Sequence, residues 1–438
     1  MQTKITPRIL QGFSELLPKD QLYYDLLQNK IKETYLTYGF SNIDTPTIEY
    51  SDVLLAKAGG ETEKQIYRFN HHDTDLSLRF DLTVPLARYV SMHSQDLSFP
   101  FKRSQIGKVY RGERPQKGRF REFYQCDADV IGSETLDIKY DAEMTALIND
   151  TFKSLNLGDF VIRINNRKIL SGFFKKLNLE NQIADILRII DKIDKIGKDK
   201  VKEELLKLAD CIDNSTAEEI ISFISIKGTN EEILESISKI EANELFETGV
   251  NELKDVVLTS YGLGVSEKNI KIDLSIARGL DYYTGTVYET NLIGHENFGS
   301  VCSGGRYDNL TGYYSDKIMP GVGVSIGLTR LFSLLKENNM LESLTEFRKG
   351  CVILPMEQSV YGYTAEITKK LRTNGIICDT FWSDKSVKAK FKFADRSGFR
   401  YVIIIGESEA ASGKVSIKDL FTHEQIECSA DEAINRLK

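Results

Sequence analysis

Between residues 172 and 262 the apolar–polar alternation of β-strands disappears, and it returns at about 270. In that gap Ile183, Ile186, Leu187 and Ile190 recur at i, i+3, i+4 and i+7, the spacing of one helix face. Ser215 with Glu218, and Thr229 with Glu232, fit the capping box that opens a helix. Lysines and glutamates fill the polar faces. Residues 160–165 before the gap, and 270–276 and 322–327 after it, read as strands. The pattern predicts one sheet-built domain interrupted by a helical segment, which serves either as an insertion domain or as a plain spacer.

Other elements fall around that interruption. Leu22, Leu26, Leu27, Ile31 and Tyr35 share one face of a helix predicted over 20–40, and Pro46 belongs at a strand start or edge. Helices are expected near 83–91 and 135–155. Beyond a polar stretch at 336–350, strands alternate with helices to the end of the chain, the pattern of a compact α/β domain. The organisation expected is therefore 1–171 and 263–335 as one domain, 172–262 inserted, 336–349 as linker and 350–438 as a separate domain. A length of 438 residues accommodates these at roughly 150 residues per domain.

The longest purely aliphatic run, Val402 to Ile405, is far short of the ~20 residues that span a bilayer, and the first residues lack an apolar leader core. A cytoplasmic protein with no membrane association is expected. The six cysteines stand apart, with no CxxC and no zinc-ligand spacing to histidines, and read as reduced thiols. The formal net charge of −7 speaks against a polyanion partner, but its distribution does not. Residues 102–121 carry Lys102, Arg103, Lys108, Arg111, Arg114, Lys117, Arg119 and Arg121 against Glu113 alone, a local +7. Such asymmetry fits a polyanion site, or a solvated basic loop.

Three segments carry chemistry. In 78–85, Asp81 and Thr83 alternate with apolar residues; a strand would set carboxylate and hydroxyl on one face, suited to an ammonium group. The same pair also fits a strand end that caps the following helix. In 109–129, arginines flank a basic turn, and their planar forks match phosphate oxygens. Phe123 could stack on a purine, while Gln125, Asp127 and Asp129 alternate toward one pocket face. In 277–289, Arg278, Tyr282 and Tyr283 follow the strand at 270–276, placing a cation and two phenols at its edge, or forming a hairpin whose tyrosines merely pack.

Arg111-Gly112-Glu113, the basic turn and Arg121-Glu122-Phe123 resemble motif 2 of the class II aminoacyl-tRNA synthetases. Gly327-Leu328-Thr329-Arg330 resembles motif 3, and the long helix leading to Pro46 resembles motif 1. The segment 277–289, with Gly304-Gly305-Arg306-Tyr307-Asp308, resembles the histidine-specific motifs of the histidyl-tRNA synthetase family. Residues 406–409 and 415–420 look like that family's anticodon-binding domain. The resemblance implies an α+β protein: an antiparallel class II catalytic sheet of six strands with a helical insertion, a C-terminal α/β anticodon-binding domain, and a homodimer built through motif 1. It implies ATP with Mg2+, L-histidine and tRNA(His) as partners, and a histidine–tRNA ligase reaction.

By position, the resemblance implies that Asp81, Thr83, Gln125 and Asp129 hold the ammonium and imidazole of histidine. Tyr282, Tyr283 and Tyr307 would line the imidazole pocket. Arg111, Arg278 and Arg330 would be the catalytic cations, Arg111 and Arg278 also touching histidine. Glu113, Arg121 and Phe123 would complete the ATP site with Arg111 and Arg330, and Gln116 and Arg121 would meet the tRNA acceptor end. No dedicated protein ligands for a metal are identifiable. Asp81 and Asp129 stand where many bacterial members have Glu. A second family with this core, the regulatory subunit of ATP phosphoribosyltransferase, is a histidine sensor without the anticodon domain, and Arg111, Arg278 and Arg330 argue against it.

Overall fold

The computed structural model describes residues 5–56, 63–209, 211–276, 283–308, 311–344 and 348–438. The chain divides into two compact units, Met1–Glu15 with Tyr24–Met340, and Leu16–Tyr23 with Leu341–Lys438.

In the larger unit a short sheet is formed by β2 (Ile48–Tyr50), β3 (Arg68–His71) and β4 (Thr74–Leu78) in the order β2-β4-β3. The main sheet contains β1 (Ser41–Asn42), β5 (Phe101–Tyr110), β6 (Glu122–Ile131), β7 (Phe160–Asn166), β8 (Ile270–Ile272), β9 (Thr286–Leu292), β10 (Cys302–Tyr307) and β11 (Gly321–Gly327). Its order is β1-β5-β6-β11-β10-β9-β7-β8. The six central strands pair antiparallel, as expected, and each edge adds one short parallel strand, β1 on β5 and β8 on β7.

Strand parity divides this sheet into two faces. On one, Cys126, Ala128, Val130, Val322, Val324, Ile326, Tyr288, Ile162 and Ile164 are buried. Helices cover this face. Tyr35, on the helix Pro18–Thr37, donates to the Cys126 carbonyl at 2.9 Å, and Tyr288 donates to the carbonyl of Asp141 on the helix Lys139–Leu155 at 2.8 Å. Arg306 also points this way and makes a buried ion pair with Asp141 at 2.8 Å while donating to the Leu136 and Asp137 carbonyls. The other face carries the polar residues of the site.

The interrupting region is helical throughout its described elements, from Arg167–Lys176 to Glu244–Gly262. Thr229 and Glu232 form the expected capping box. The other predicted box does not form. Asp213, two residues earlier, caps the helix Asn214–Ile224 by accepting from the Thr216 amide at 2.8 Å, and Glu218 pairs with Lys202 instead. Aspartate is as good a cap as serine, and here the helix begins one turn fraction sooner.

Two further expectations change. The strand predicted over 270–276 ends at Ile272, although burial keeps alternating through Leu274 and Ile276. Asp273 stops it by turning back on Ser275, whose amide and hydroxyl both donate to its carboxylate. The second is at 78–83, where β4 ends at Leu78 and Thr83 already starts the helix Thr83–His93, so Asp81 and Thr83 do not share a strand face.

The smaller unit has the sheet β12 (Arg348–Pro355), β13 (Cys378–Thr380), β14 (Phe399–Ile405), β15 (Lys414–Asp419) and β16 (Gln425–Ser429), ordered β13-β12-β14-β15-β16. β13, β12 and β14 are parallel and the rest antiparallel, with helices such as Tyr361–Thr373 and Val387–Ser397 between them. β16 and the short helix Glu407–Ser412 have no counterpart in the expectations above.

The cap assignment is testable by hydrogen exchange. Asp213→Ala removes the acceptor for the Thr216 amide, so that amide should exchange faster, while Ser215→Ala should leave it unchanged. The reverse result would restore the serine cap.

Candidate active site

The ladder register builds the site. Arg103, Gln105 and Gly107 on β5 stand opposite Asp129, Asp127 and Gln125 on β6. Those three stand opposite Gly323, Ser325 and Gly327 on β11, and Gly321 and Gly323 face Tyr307 and Gly305 on β10. Cross-strand partners share a face, so all these residues project to the side opposite the helix-covered core.

Two glycines let the side chains meet across β11. A Cβ at Gly323 would lie 1.9 Å from Oδ1 of Asp129, and one at Gly321 would lie 2.5 Å from the Tyr307 ring. With neither present, Tyr307 donates to Asp129 Oδ1 at 3.1 Å. Tyr283 lies over Gly305, whose Cβ would be 2.9 Å from its ring.

Asp81 reaches the same place from the turn before the helix Thr83–His93. Its Oδ1 accepts from the amides of Thr83 (3.2 Å) and Val84 (2.9 Å), so Asp81 alone serves as the capping acceptor, while Thr83 is the first residue of the helix. Arg103 joins the two groups. Its Nη2 lies 2.9 Å from Asp129 and 3.8 Å from Asp127, and donates to the Leu82 carbonyl at 3.2 Å. Arg103, Asp81, Asp127 and Asp129 are all buried.

Burial lifts the proton affinity of all three carboxylates, chiefly by desolvation of the charged form. For Asp127 the value is pushed up to about 7 by burial, opposed by Arg103 and reinforced by Asp129. Gln125 donates to Ser325 at 2.8 Å. Among the described residues, Gln125 Oε1, Asp127 Oδ1 and Nε and Nη1 of Arg103 have no hydrogen-bond partner.

Beside this pocket, the guanidinium of Arg111 lies between two rings, 4.4 Å from the Phe80 centroid and 5.0 Å from that of Phe123. The chain then forms a hairpin tip at 116–119, where Gln116 and Arg119 exchange backbone hydrogen bonds and Gly118 takes φ +68°. Gln116 is exposed at this tip. Arg121 folds back and donates to the Glu113 carbonyl at 3.1 Å, while the Glu113 carboxylate accepts from Arg119 at 3.2 Å.

Arg330, in the first turn of the helix Leu328–Glu337, donates to the Phe298 carbonyl and lies 5.9 Å from that ring. Burial and the nearby Arg119 charge lower its proton affinity. Thr329 beside it accepts from the Tyr124 amide at 2.9 Å and bonds the Tyr24 hydroxyl at 2.8 Å, tying this helix to β6 and to the helix Pro18–Thr37.

The structure therefore brings Asp81, Gln125, Asp129, Tyr283 and Tyr307 to one side of the sheet, with Thr83 starting the adjoining helix, and sets Arg111 and Phe123 next to them. Arg330 turns toward Phe298. Arg278 and Tyr282 lie outside the described residues. Of the eight basic residues at 102–121, three serve the sheet itself: Arg103 as above, Lys102 with Glu143, and Lys108 with Glu122. Sequence reasoning had missed Arg103, Phe80 and Phe298. For Arg103 a signal existed, since it shares strand parity with Gln105 and Gly107.

An antiparallel sheet bounded by these motifs, with a second sheet-bearing unit, defines a class II aminoacyl-tRNA synthetase. The family model described as histidyl-tRNA synthetase matches residues 12–331, and one described as an anticodon-binding domain matches 350–438. The chain belongs to the histidyl-tRNA synthetase family. It is 51% identical to the histidine–tRNA ligase of Clostridium tetani, covering 99% of this chain and 98% of that one, and 47% identical to that of Finegoldia magna over 99% and 100%. A crystal structure of histidyl-tRNA synthetase from Nostoc sp. PCC 7120 superposes with a TM-score of 0.89 at 42% identity, covering 99% and 100%.

The carboxylate cluster predicts a pH dependence. The folded value for Asp127, about 7, lies above the unfolded carboxylate value, so its stabilising contribution is complete at low pH and is lost as pH rises through 7. Asp127→Asn cannot take up the charge. The stability of the ligand-free variant relative to wild type should rise by about 2 kcal/mol between pH ~5.5 and pH ~8 in urea titrations. A constant difference would show that Asp127 stays ionised.

Proposed function

We propose that this chain is a histidine–tRNA ligase: it activates L-histidine with ATP and transfers the histidyl group to the 3′ end of tRNA(His). The observation that carries the reading is the group of Asp81, Gln125, Asp129 and Tyr307 at the polar sheet face, with Arg111 and Phe123 at its rim. Carboxylates with amide and phenol groups match an ammonium and an imidazole, whose donors and acceptors are fixed in direction. Full-length relatives named histidine–tRNA ligase support it, and they give the histidine-sensing regulatory subunit less support.

In the first step a carboxylate oxygen of histidine attacks the α-phosphorus of ATP and pyrophosphate leaves. The terminal adenosine hydroxyl of the tRNA then attacks the activated carbonyl, and AMP leaves. ATP enters as its Mg2+ complex. The protein aligns the reactants and offsets developing phosphate charge, work suited to guanidinium groups. Arg111, pre-aligned between Phe80 and Phe123, would meet the α-phosphate, and adenine would stack on Phe123 away from Arg111. Arg330 would exchange the Phe298 carbonyl for phosphate oxygens. Glu113 and Arg121 would hold the hairpin around the nucleotide, and Gln116 at its tip, with Arg121, would meet the acceptor end. Arg278 would touch the α-phosphate and the histidine carboxylate, and Tyr282 would join Tyr283 and Tyr307 around the imidazole. The helical insertion at 172–262 would clamp tRNA, and 350–438 would bind the anticodon.

A cytoplasmic homodimer completes the reading. No helix among the described residues is long and apolar enough to cross a membrane. Ile48, Tyr50 and Phe69 are 47%, 62% and 39% exposed, and Tyr50 and Phe69 both register with Leu76, so they share one face of the small sheet. An apolar sheet face of this kind suits a second copy of the chain.

Histidine-dependent exchange of pyrophosphate into ATP tests the activity, and a protein that binds histidine without exchange would instead be a sensor. Arg278→Ala should lower the turnover number by about 100-fold with a smaller change in histidine affinity, and an unchanged turnover number refutes its phosphate role. Tyr50→Arg with Phe69→Glu should give monomers in analytical ultracentrifugation where wild type gives dimers. A dimer that persists places the interface elsewhere.

A further inference from the structure

We propose that Arg103 is a positioning residue for the amino-acid substrate, holding the carboxylates of β6 and the Asp81 turn at the separation that an α-ammonium group requires. This role rests on the reading of the pocket as a histidine site. Arg103 is the largest fully buried side chain among the described residues, at 0% exposure. One nitrogen, Nη2, contacts the Asp129 carboxylate and the Leu82 carbonyl and is 3.8 Å from Asp127. Leu82 lies between Asp81 and Thr83, so this single group spans the β6 strand and the turn that supplies the third carboxylate.

A guanidinium offers five donors, and an arginine placed for stability alone would use most of them. Here Nε and Nη1 find no hydrogen-bond partner among the described residues. What Arg103 does supply is charge and geometry. Three buried carboxylates without a cation would repel one another and retain protons, and a protonated pocket has little attraction for an ammonium group. With Arg103 beside them, Asp129 is braced between Nη2 and the Tyr307 hydroxyl, in the space that a Cβ at Gly323 would fill. Ser325 beside Asp127, and Arg111 and Tyr314 beside Asp81, are further polar groups at the cluster. The shorter aspartates at 81 and 129 fit this arrangement, because a cation held at the sheet surface pins carboxylates close to their own backbone.

Three variants separate positioning from folding. Arg103→Leu removes charge and reach. Arg103→Leu with Asp127→Ala removes both members of a pair and, assayed at pH ~8 where Asp127 is ionised, leaves the net charge of the pocket unchanged. Arg103→Lys keeps the charge, but its shorter side chain stops short of the position of Nη2. In pyrophosphate exchange, the histidine KM should rise at least about 10-fold in the double variant and about fivefold in Arg103→Lys, with the ATP KM within about twofold of wild type. Arg103→Leu should be the most affected, and lysine should restore part of the loss. The proposal is overturned if the double and lysine variants both keep the wild-type histidine KM, or if the KM values for histidine and ATP rise together. A wild-type protein that lacked histidine-dependent exchange would instead refute the function on which this role rests.

Discussion

A residue inside a β-strand has only two directions to point, and its neighbours on adjoining strands point the same way. In the main sheet that constraint sorts Arg103 from Lys102, Asp127 and Asp129 from Cys126, Ala128 and Val130, and Tyr307 from Arg306. One set becomes a helix-covered core and the other a polar floor. A slip of one residue between β6 and β11 would bury Val322 under the carboxylates and turn Gly323 away from Asp129. The pairing of β6 with β11, seven residues on each strand, makes such a slip costly. The rest of the site hangs from this register.

The two ends of the site are held differently. At the pocket end, Asp129 is fixed by Tyr307 and Arg103, and Asp81 by two helix amides. All of these partners belong to strands or to a helix terminus. At the other end, the hairpin tip leans on Phe298, where a Cβ at Gly118 would lie 3.1 Å from the ring, and Lys117 pairs with Glu337. Exposed ion pairs of this kind contribute little, so a competing polyanion can displace them at small cost. The carboxylate cluster is preformed, while the basic hairpin is held by contacts that are easily exchanged.

Much of this was legible in the sequence because period and motif report on local geometry. The hairpin strands, the helix after Gly327 and the capping box at Thr229 depend on near neighbours, and they fall where the pattern puts them. Asp81 shows the limit. Alternation at 78–83 satisfies a strand and a capped turn equally well, and only the packing of the following helix decides between them. Arg103 shows a different limit. Counted with seven other basic residues it looks like surface charge, because its burial depends on which strand lies beside β5, and that is a long-range fact. The Phe298 carbonyl as a partner for Arg330 is likewise invisible, since a backbone acceptor leaves no mark on residue type.

The polar atoms left without partners bear on how such a pocket selects. Gln125 Oε1, Asp127 Oδ1 and two nitrogens of Arg103 are buried and unbonded within the described protein. A buried polar atom left without any partner costs ~1–3 kcal/mol. A ligand or a water that it brings, offering donors and acceptors in the right directions, recovers that cost. An apolar isostere of the same size cannot. Sites built around hydrogen bonds to a polar side chain reach discrimination of ~10⁴–10⁵ by this asymmetry alone. A buried, incompletely bonded cluster is thus a poor way to stabilise a sheet and an effective way to refuse a ligand that lacks matching polar groups. The glycines at 321 and 323 that give up side-chain packing to let it form serve the same end.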